Sequence, residues 1–255
     1  MTGRRNPGDR NEAPSEKIFL LLVALLAILS AIYVFLAQYP VLPGQTLPAP
    51  IPVLAAINAI TVLILSGGLG LVGLRLARRL GIPELLDEKV TNRERFLIPA
   101  MAGIVIGLFF ISSDLVLRNF NSVGAIPHPP FPSSLVAAAV AGIGEEMIFR
   151  LFLVSFGTWL ISVKLLKGRW QPQVFSLVAV ISALFFGSSH LPALMILLGI
   201  GSFQAVPAVF LAEVLLLNGV LSLVAAYYFK KSGFLAAVGV HVWTDVVWHV
   251  VFGVL

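Results

Sequence analysis

Seven long apolar segments constrain what this chain can fold into more than any other feature of its sequence. A helix needs about 20 apolar residues to cross a hydrocarbon core about 30 Å thick. The segments lie at 17–38, 51–79, 96–117, 134–166, 174–190, 203–229 and 233–253. They predict an all-α fold, a polytopic transmembrane helical bundle of about seven spans. Residues 191–201 are apolar but short, and we keep an eighth, re-entrant element there as an alternative.

The composition indicates that lipid surrounds most of this chain. Of the 255 residues, 58% are hydrophobic and 11% are charged, whereas soluble domains carry about 25% charged residues. The absence of cysteine excludes disulfides and thiolate metal sites. The net charge of +5 is explained by the membrane, so we predict the lipid bilayer as a partner and no nucleic acid.

The basic residues orient the predicted spans. Cytoplasmic loops are enriched in Lys and Arg, and a cytoplasmic N-terminus places all but two of the 17 basic residues inside. The exceptions are Arg118, in an outer loop, and Arg150, within the fourth span. We predict a multi-pass protein of a prokaryotic plasma membrane. Residues 1–16 predict a disordered cytoplasmic tail, and 17–255 a single transmembrane domain.

The fourth span contains Glu145, Glu146 and Arg150, and each is costly there. A charged group in a span costs about 2.5 kcal/mol or more, so each one indicates a function. Glu146 and Arg150 are four residues apart and share a helix face, which predicts an ion pair. Glu145 is turned by about 100° and has no such partner. It is therefore the candidate general base that takes a proton from water.

Two histidines and an aspartate in later spans complete the candidates. His190 ends the fifth predicted span without a local polar partner, so it must find one across a helix interface. His241 and Asp245 are four residues apart on one face of the seventh span. An imidazole facing a carboxylate could polarise a water, donate to an oxyanion or bind a metal. His249 lies four residues past Asp245 and could join the site, but near the chain end we favour a place at the membrane interface. We expect His128, in a Pro-rich outer loop, at the surface.

The predicted depths of these residues agree only in part. At about 1.5 Å per residue, Glu145 lies about 16 Å below the outer end of its span. Asp245 lies about 18 Å above the inner end of its span, so both reach the midplane. His190, at the end of its span, would lie near the outer face. A closed site would then require the fifth span to start deeper or to tilt.

Together these segments resemble the three motifs of the CPBP family (CAAX prenyl protease and Abi proteins) of intramembrane proteases. That family carries E-E-x-x-x-R, F-x-x-x-H and H-x-x-x-N or H-x-x-x-D on successive membrane helices. This chain has, in order, Glu145-Glu146-Met147-Ile148-Phe149-Arg150, Phe186-Gly187-Ser188-Ser189-His190 and His241-Val242-Trp243-Thr244-Asp245. The resemblance covers about 96–253. It implies an intramembrane endopeptidase that uses glutamate-activated water on membrane-associated or lipidated peptide or protein substrates.

The resemblance also implies a role for each motif residue. Glu145 would activate the water, His190 would help to hold it, and the ion pair of the fourth span would order the site. His241 and Asp245 would stabilise the oxyanion. Leu151 stands where relatives often have glycine, and we expect it to narrow the approach to the site. Asp245 stands where well-understood relatives have asparagine. Because an ionised aspartate cannot donate to an oxyanion, it is either protonated or orients His241.

Other functions stay open at this point. A transporter or proton relay also carries intramembrane Glu, His and Asp residues, and Glu213 of the sixth span would then be essential. A non-catalytic protein of the bacteriocin-immunity type would keep its function without Glu145. We predict no cofactor and no metal for the protease. Its variant is a zinc enzyme with His190, His241 and a glutamate as ligands.

Overall fold

Seven long helices make up almost the whole of this computed structural model, which describes residues 9–36 and 47–255, with side chains from residue 15 onward. The helices are α1 Asp9–Leu36, α2 Ile51–Arg79, α3 Arg93–Leu117, α4 Ser133–Leu165, α5 Gln171–Leu197, α6 Ala208–Ser232 and α7 Phe234–Val254. The described residues form no strand. All seven helices are long and apolar enough to cross a membrane. The chain is therefore an integral membrane protein, and the predicted all-α, seven-span fold is confirmed.

Two predicted boundaries need correction. The fifth span does not end at His190, because α5 continues through Pro192 to Leu197. Proline removes one backbone donor from a helix interior, but the flanking turns keep their hydrogen bonds. The residues assigned to an eighth, re-entrant element therefore mostly extend α5. The longer helix also moves His190 about 10 Å inward from the end of α5, which removes the predicted mismatch in depth.

The N-terminal tail lies mostly beyond what the structure tests. Residues 1–8 lie outside the described residues, and α1 begins at Asp9, inside the segment 1–16 predicted as a disordered tail. The tail stays a prediction. From Ser15 onward, α1 packs along the bundle, and its residues Phe19 and Leu26 are fully buried.

Small residues let the helices approach closely around the site. A Cβ atom added to Gly73 of α2 would collide with the carbonyl oxygen of Leu151 on α4. The same addition to Gly103 of α3 would collide with the carbonyl oxygen of Val240 on α7. Gly142 of α4 lies equally close to the side chain of Val242 on α7. These contacts hold α4 against α2 and α7, and α3 against α7, close to the motif residues.

Wider, π-type turns begin within the first motif and directly after the third. One stretch, Met147–Val154, begins directly after Glu146, and another, Val246–Val251, begins directly after Asp245. Such turns are rare and frequently lie at functional sites. Both stretches start where a predicted catalytic residue ends the regular helix.

Positive charge gathers at one end of the bundle, which we call the basic end. Glu16 of α1 lies 3.6 Å from Arg78 of α2, and Arg78 lies 3.4 Å from Glu84 in the next loop. Nε2 of Gln171, at the start of α5, donates to the carbonyl oxygen of Leu80 at 2.7 Å. The helices therefore alternate in direction. Among the described side chains, every Lys and Arg lies at this end except Arg118 and Arg150.

Candidate active site

Three buried side chains from α4 and α7 form a connected chain of contacts, which we call the buried triad: Arg150, Glu146 and His241. Oε2 of Glu146 lies 3.1 Å from Nε of Arg150, as the spacing of four residues predicts. Oε1 of Glu146 accepts a hydrogen bond from Nδ1 of His241 at 2.8 Å. Both members of the ion pair are fully buried, and His241 is 2% exposed. Glu146 therefore neutralises Arg150 and fixes the orientation of the His241 ring.

The ring of Phe186 packs against three of the six site residues, Arg150, His190 and His241. The guanidinium carbon of Arg150 lies 4.6 Å from the centroid of this ring, a cation–π contact. The terminal nitrogens of Arg150 find no hydrogen-bond acceptor among the described residues, so the ring face compensates in part. The ring also packs edge-on against His190 at 4.8 Å and His241 at 5.6 Å. Phe186 is fully buried and thus holds both imidazoles in place.

Glu145 and His190, which we call the cavity pair, lie beside the buried triad but remain partly accessible. Their side chains are 33% and 31% exposed. Nδ1 of His190 donates to the carbonyl oxygen of Phe186, one turn earlier, at 2.8 Å. Nε2 of His190 therefore faces Oε2 of Glu145, at 3.9 Å. That separation is too long for a direct hydrogen bond, and Oε2 of Glu145 finds no hydrogen-bond partner among the described residues.

Asp245 approaches His241, which lies one turn earlier on α7. Its Oδ2 lies 3.5 Å from Nε2 of His241, and Oε2 of Glu145 lies 3.8 Å from that nitrogen. Because Nδ1 of His241 is engaged by Glu146, Nε2 is the atom that faces the two carboxylates. The contact fits the alternative in which Asp245 orients His241.

These residues line a cavity of about 460 Å³. Ligand sites commonly enclose about 300–1,000 Å³ and are mostly apolar with a few polar groups. The polar groups here include Glu145, His190, His241 and Asp245, and much of the remaining wall is apolar. The structure thus brings four of the six predicted site residues to one cavity, while Glu146 and Arg150 lie behind its wall.

Leu151 does not narrow the approach to this cavity, so that expectation is wrong. Its side chain is 1% exposed and lies in the hydrophobic core. Its backbone carbonyl meets Gly73 of α2, and Leu151 is not among the residues that line the cavity. Leucine in place of glycine at position 151 therefore affects helix packing and leaves the access route to the cavity unchanged.

Two further histidines line the cavity, and sequence reasoning placed both of them elsewhere. Nδ1 of His128 and Nδ1 of His249 lie 3.0 Å apart, so one ring donates to the other. The His128 ring also packs on Trp248 at 4.6 Å, and burial lowers the pKa of His128. The step of four residues from Asp245 to His249 was a usable signal. No local signal reveals His128, because its loop position is set by tertiary contacts.

Glu213 has no part in the cavity. It is fully buried on α6, and its carboxylate oxygens find no hydrogen-bond partner among the described residues. It does not line the cavity. Asp114 of α3, another buried carboxylate, accepts a hydrogen bond from the backbone N–H of Ile126 at 3.1 Å. The structure gives no physical account of why Glu213 is buried.

Within residues 9–36 and 47–255, no group of three His, Asp or Glu side chains is arranged to hold a metal ion. The distances of 3.8 and 3.9 Å from Oε2 of Glu145 to the two histidines are too long for direct hydrogen bonds. The zinc variant thus finds no assembled ligand set in this part of the chain, and it remains a matter for a chelation experiment.

One family of known proteins matches the region that contains the site. The model of the family described as "Type II CAAX prenyl endopeptidase Rce1-like" matches residues 127–247. This range includes all six predicted site residues and His128. Comparison with curated proteins gave no match, and comparison with solved structures gave none either. The resemblance inferred from the three motifs is confirmed.

Proposed function

We propose that the protein is an intramembrane endopeptidase, since the model of the Rce1-like family of type II CAAX prenyl endopeptidases matches residues 127–247. Its substrates are membrane-associated or lipidated peptides or proteins, and its nucleophile is a water activated by Glu145. One observation carries the proposal. Nε2 of His190 on α5 and Nε2 of His241 on α7 each lie within 4 Å of Oε2 of Glu145 on α4, and all three residues line one cavity.

The first step is the activation of water. A water between Glu145 and Nε2 of His190 would donate one hydrogen bond to each. The carboxylate of Glu145 takes a proton from this water as it attacks the scissile carbonyl carbon. A carbon–oxygen bond forms, and the carbonyl oxygen becomes an oxyanion.

The second step is the stabilisation and collapse of this intermediate. In its doubly protonated form, His241 donates from Nε2 to the oxyanion, while Glu146 and Asp245 offset the charge on the ring. The intermediate then collapses, and the carbon–nitrogen bond breaks. Glu145 returns its proton to the departing amine, so that a carboxylic acid and a free amine are formed, the base is regenerated, and the acid then loses its proton to solvent.

Glu146 and Arg150 support these steps without touching substrate. Arg150 holds Glu146 by an ion pair, and Glu146 fixes the His241 ring through Nδ1. A preorganised donor costs no reorganisation during the reaction, which makes it more effective than a mobile one. Glu146 and Arg150 are therefore positioning residues in this mechanism, whereas Glu145, His190 and His241 are the catalytic ones.

The proposal is tested by comparing membrane fractions that contain either the wild type or Glu145→Gln. We expect new peptide termini that appear with the wild type and are missing with the variant, at equal amounts of inserted protein. Identical termini in both samples would overturn the proposal. They would favour an immunity-type or transport function, and ion flux that needs Glu213 in proteoliposomes would identify the latter.

The same preparation tests the zinc variant. We propose that cleavage persists after extensive dialysis against a strong chelator, because the mechanism uses protein groups alone. Loss of cleavage on chelation, with recovery on adding zinc, would replace glutamate catalysis by metal catalysis. The protein should be assayed for bound metal before dialysis, so that a tightly held ion is not overlooked.

A further inference from the structure

The cavity extends from the site toward one end of the bundle only. Its lining residues lie between 133 and 145 on α4, between 190 and 197 on α5, and between 241 and 249 on α7. In each of these three helices, the lining residues run from the catalytic site toward the end of the bundle that lies opposite the basic end. The loop residues Pro127, His128 and Pro129 line it at that end as well. None of the residues that line the cavity belongs to the basic end.

Toward the basic end the site is closed by packed side chains. Glu146, Met147, Arg150 and Phe186 are all fully buried. They lie on the next turns of α4 and on the preceding turn of α5. Water and substrate therefore reach Glu145 from the opposite end, past the loop that contains His128.

The charge distribution identifies which side of the membrane this is. Lys and Arg of multi-pass proteins accumulate in cytoplasmic segments. The basic end holds every described Lys and Arg except Arg118, at the opposite end, and Arg150, within the bundle. Arg118 is moreover 4.0 Å from the carboxylate of Asp114, so that end has little free positive charge. The basic end therefore faces the cytoplasm.

We infer that the catalytic cavity opens to the extracytoplasmic side, and that its substrates are extracytoplasmic juxtamembrane segments of membrane-anchored or exported polypeptides. The inference rests on the proposed function and narrows it, because cytoplasmic lipidated tails could not reach Glu145 by this route. A membrane-anchored segment would enter beside the loop 126–130.

The chemistry of the lining narrows the substrate further. The described lining contains no lysine or arginine, whereas Glu145 and Asp245 supply carboxylates. A free C-terminal carboxylate close to the scissile bond would find no lysine or arginine there and would face the carboxylates of Glu145 and Asp245. Neutral or basic segments, cut within the chain, fit this cavity better.

The access route can be tested by single cysteines, since the chain contains none. Ala193→Cys lies in the cavity lining, Ser122→Cys in the exposed loop at the same end, and Glu88→Cys in an exposed loop at the basic end. All three are placed in a Glu145→Gln background, so that labelling does not depend on catalysis. The probe is a sulfonated maleimide, which does not cross membranes, applied to right-side-out and to inside-out vesicles.

We expect Ala193→Cys and Ser122→Cys to react in right-side-out vesicles, and Glu88→Cys only in inside-out vesicles. Reaction of Ala193→Cys from the same side as Glu88→Cys, or from neither side, would overturn the access route. Reversed labelling of both loop positions would overturn the orientation. Should Ala193→Cys fail to insert, Ala137→Cys on α4 is the replacement, because it lines the same cavity.

The positions of the cleavage sites provide a second test of the inference, beside the labelling experiment. Termini that depend on Glu145 should map to extracytoplasmic segments of their proteins, and cytoplasmic termini would overturn the substrate class. If no terminus depends on Glu145, the proposed function fails, while the labelling result still judges the access route. The two failures are therefore distinguishable.

Discussion

The buried triad and the cavity pair differ sharply, although they begin at adjacent residues of α4. Glu146 makes contacts of 2.8 and 3.1 Å and has no solvent exposure. Glu145 has its nearest histidine nitrogens at 3.8 and 3.9 Å and keeps a third of its side chain exposed. Two identical side chains at adjacent positions thus occupy different environments. That of Glu146 is fully buried, whereas that of Glu145 is partly accessible.

This difference separates positioning from chemistry. A carboxylate with both oxygens engaged, like that of Glu146, cannot take a proton from water without breaking its contacts. A carboxylate with an open oxygen beside a cavity can do so, and Glu145 is in that situation. Glu146 and Arg150 should therefore determine stability, whereas Glu145, His190 and His241 should determine the rate, and the following experiments test that division.

The largest expected effect is on the rate, through the cavity pair. Glu145→Gln keeps the shape of the side chain but removes the proton acceptor, so cleavage should fall by about 10²–10⁴-fold. The unfolding temperature should stay unchanged, because Glu145 makes no short contact. Cleavage of a reconstituted substrate and thermal unfolding in detergent measure the two effects. A variant that folds and still cleaves at the wild-type rate would refute the role of Glu145.

The next effect is on stability, through the buried triad. Arg150→Met leaves Glu146 without its cation, and breaking a buried pair by removing one partner costs about 3–5 kcal/mol. Denaturant unfolding in mild detergent measures the loss. Arg169→Met is the matched control, because Arg169 is exposed and surface changes stay within about 0.5 kcal/mol.

A double variant sharpens this experiment. Arg150→Met combined with Glu146→Gln removes both charges, so part of the lost stability should return. Activity should stay low, because a neutral amide offsets the charge on His241 less well. Equal instability of the single and double variants would mean that packing, and not charge, causes the loss.

A smaller effect is expected where triad and pair meet, at Phe186. Phe186→Leu removes the cation–π contact with Arg150 and the ring contacts with both histidines, at a cost of about 2 kcal/mol. Because both imidazoles become less well positioned, kcat should fall more than KM rises. Phe149→Leu is the control, since that ring packs on Phe186 at 5.0 Å. Equal kinetics for the two variants would contradict a positioning role for Phe186.

The smallest effect concerns pH at the mouth of the cavity. Burial lowers the pKa of His128 from the usual 6.5, although Asp114 opposes the shift, and His249 faces the ring. The unfolded chain then binds the proton more readily, so stability falls as the pH drops through 6.5. His128→Gln should flatten the decline in unfolding temperature between about pH 7.5 and 5.5. An unchanged slope would show that His128 does not contribute to it.

Much of this molecule follows from rules that act along a single helix. Segment length and hydropathy gave the seven spans, and the count of basic residues gave the two unequal ends of the bundle. The Glu146–Arg150 contact follows from a spacing of four residues, because helix geometry alone brings such side chains together. The motif order gave the family. The end of α5 was missed, since Pro192 was compatible with either a helix end or a helix interior.

Only the packing of helices against one another decided the rest. The sequence could not say that His241 bonds to Glu146 and leaves Glu145 open, or that Leu151 faces α2 and not the cavity. The His128–His249 contact joins a loop to α7 across 121 positions of the chain. Local backbone geometry fixes the spacing of side chains within a helix, whereas the face that each helix presents depends on all its neighbours together. Glycines such as Gly103 and Gly142 allow the close contacts that fix which face each helix presents, and these contacts exist only once the helices are assembled.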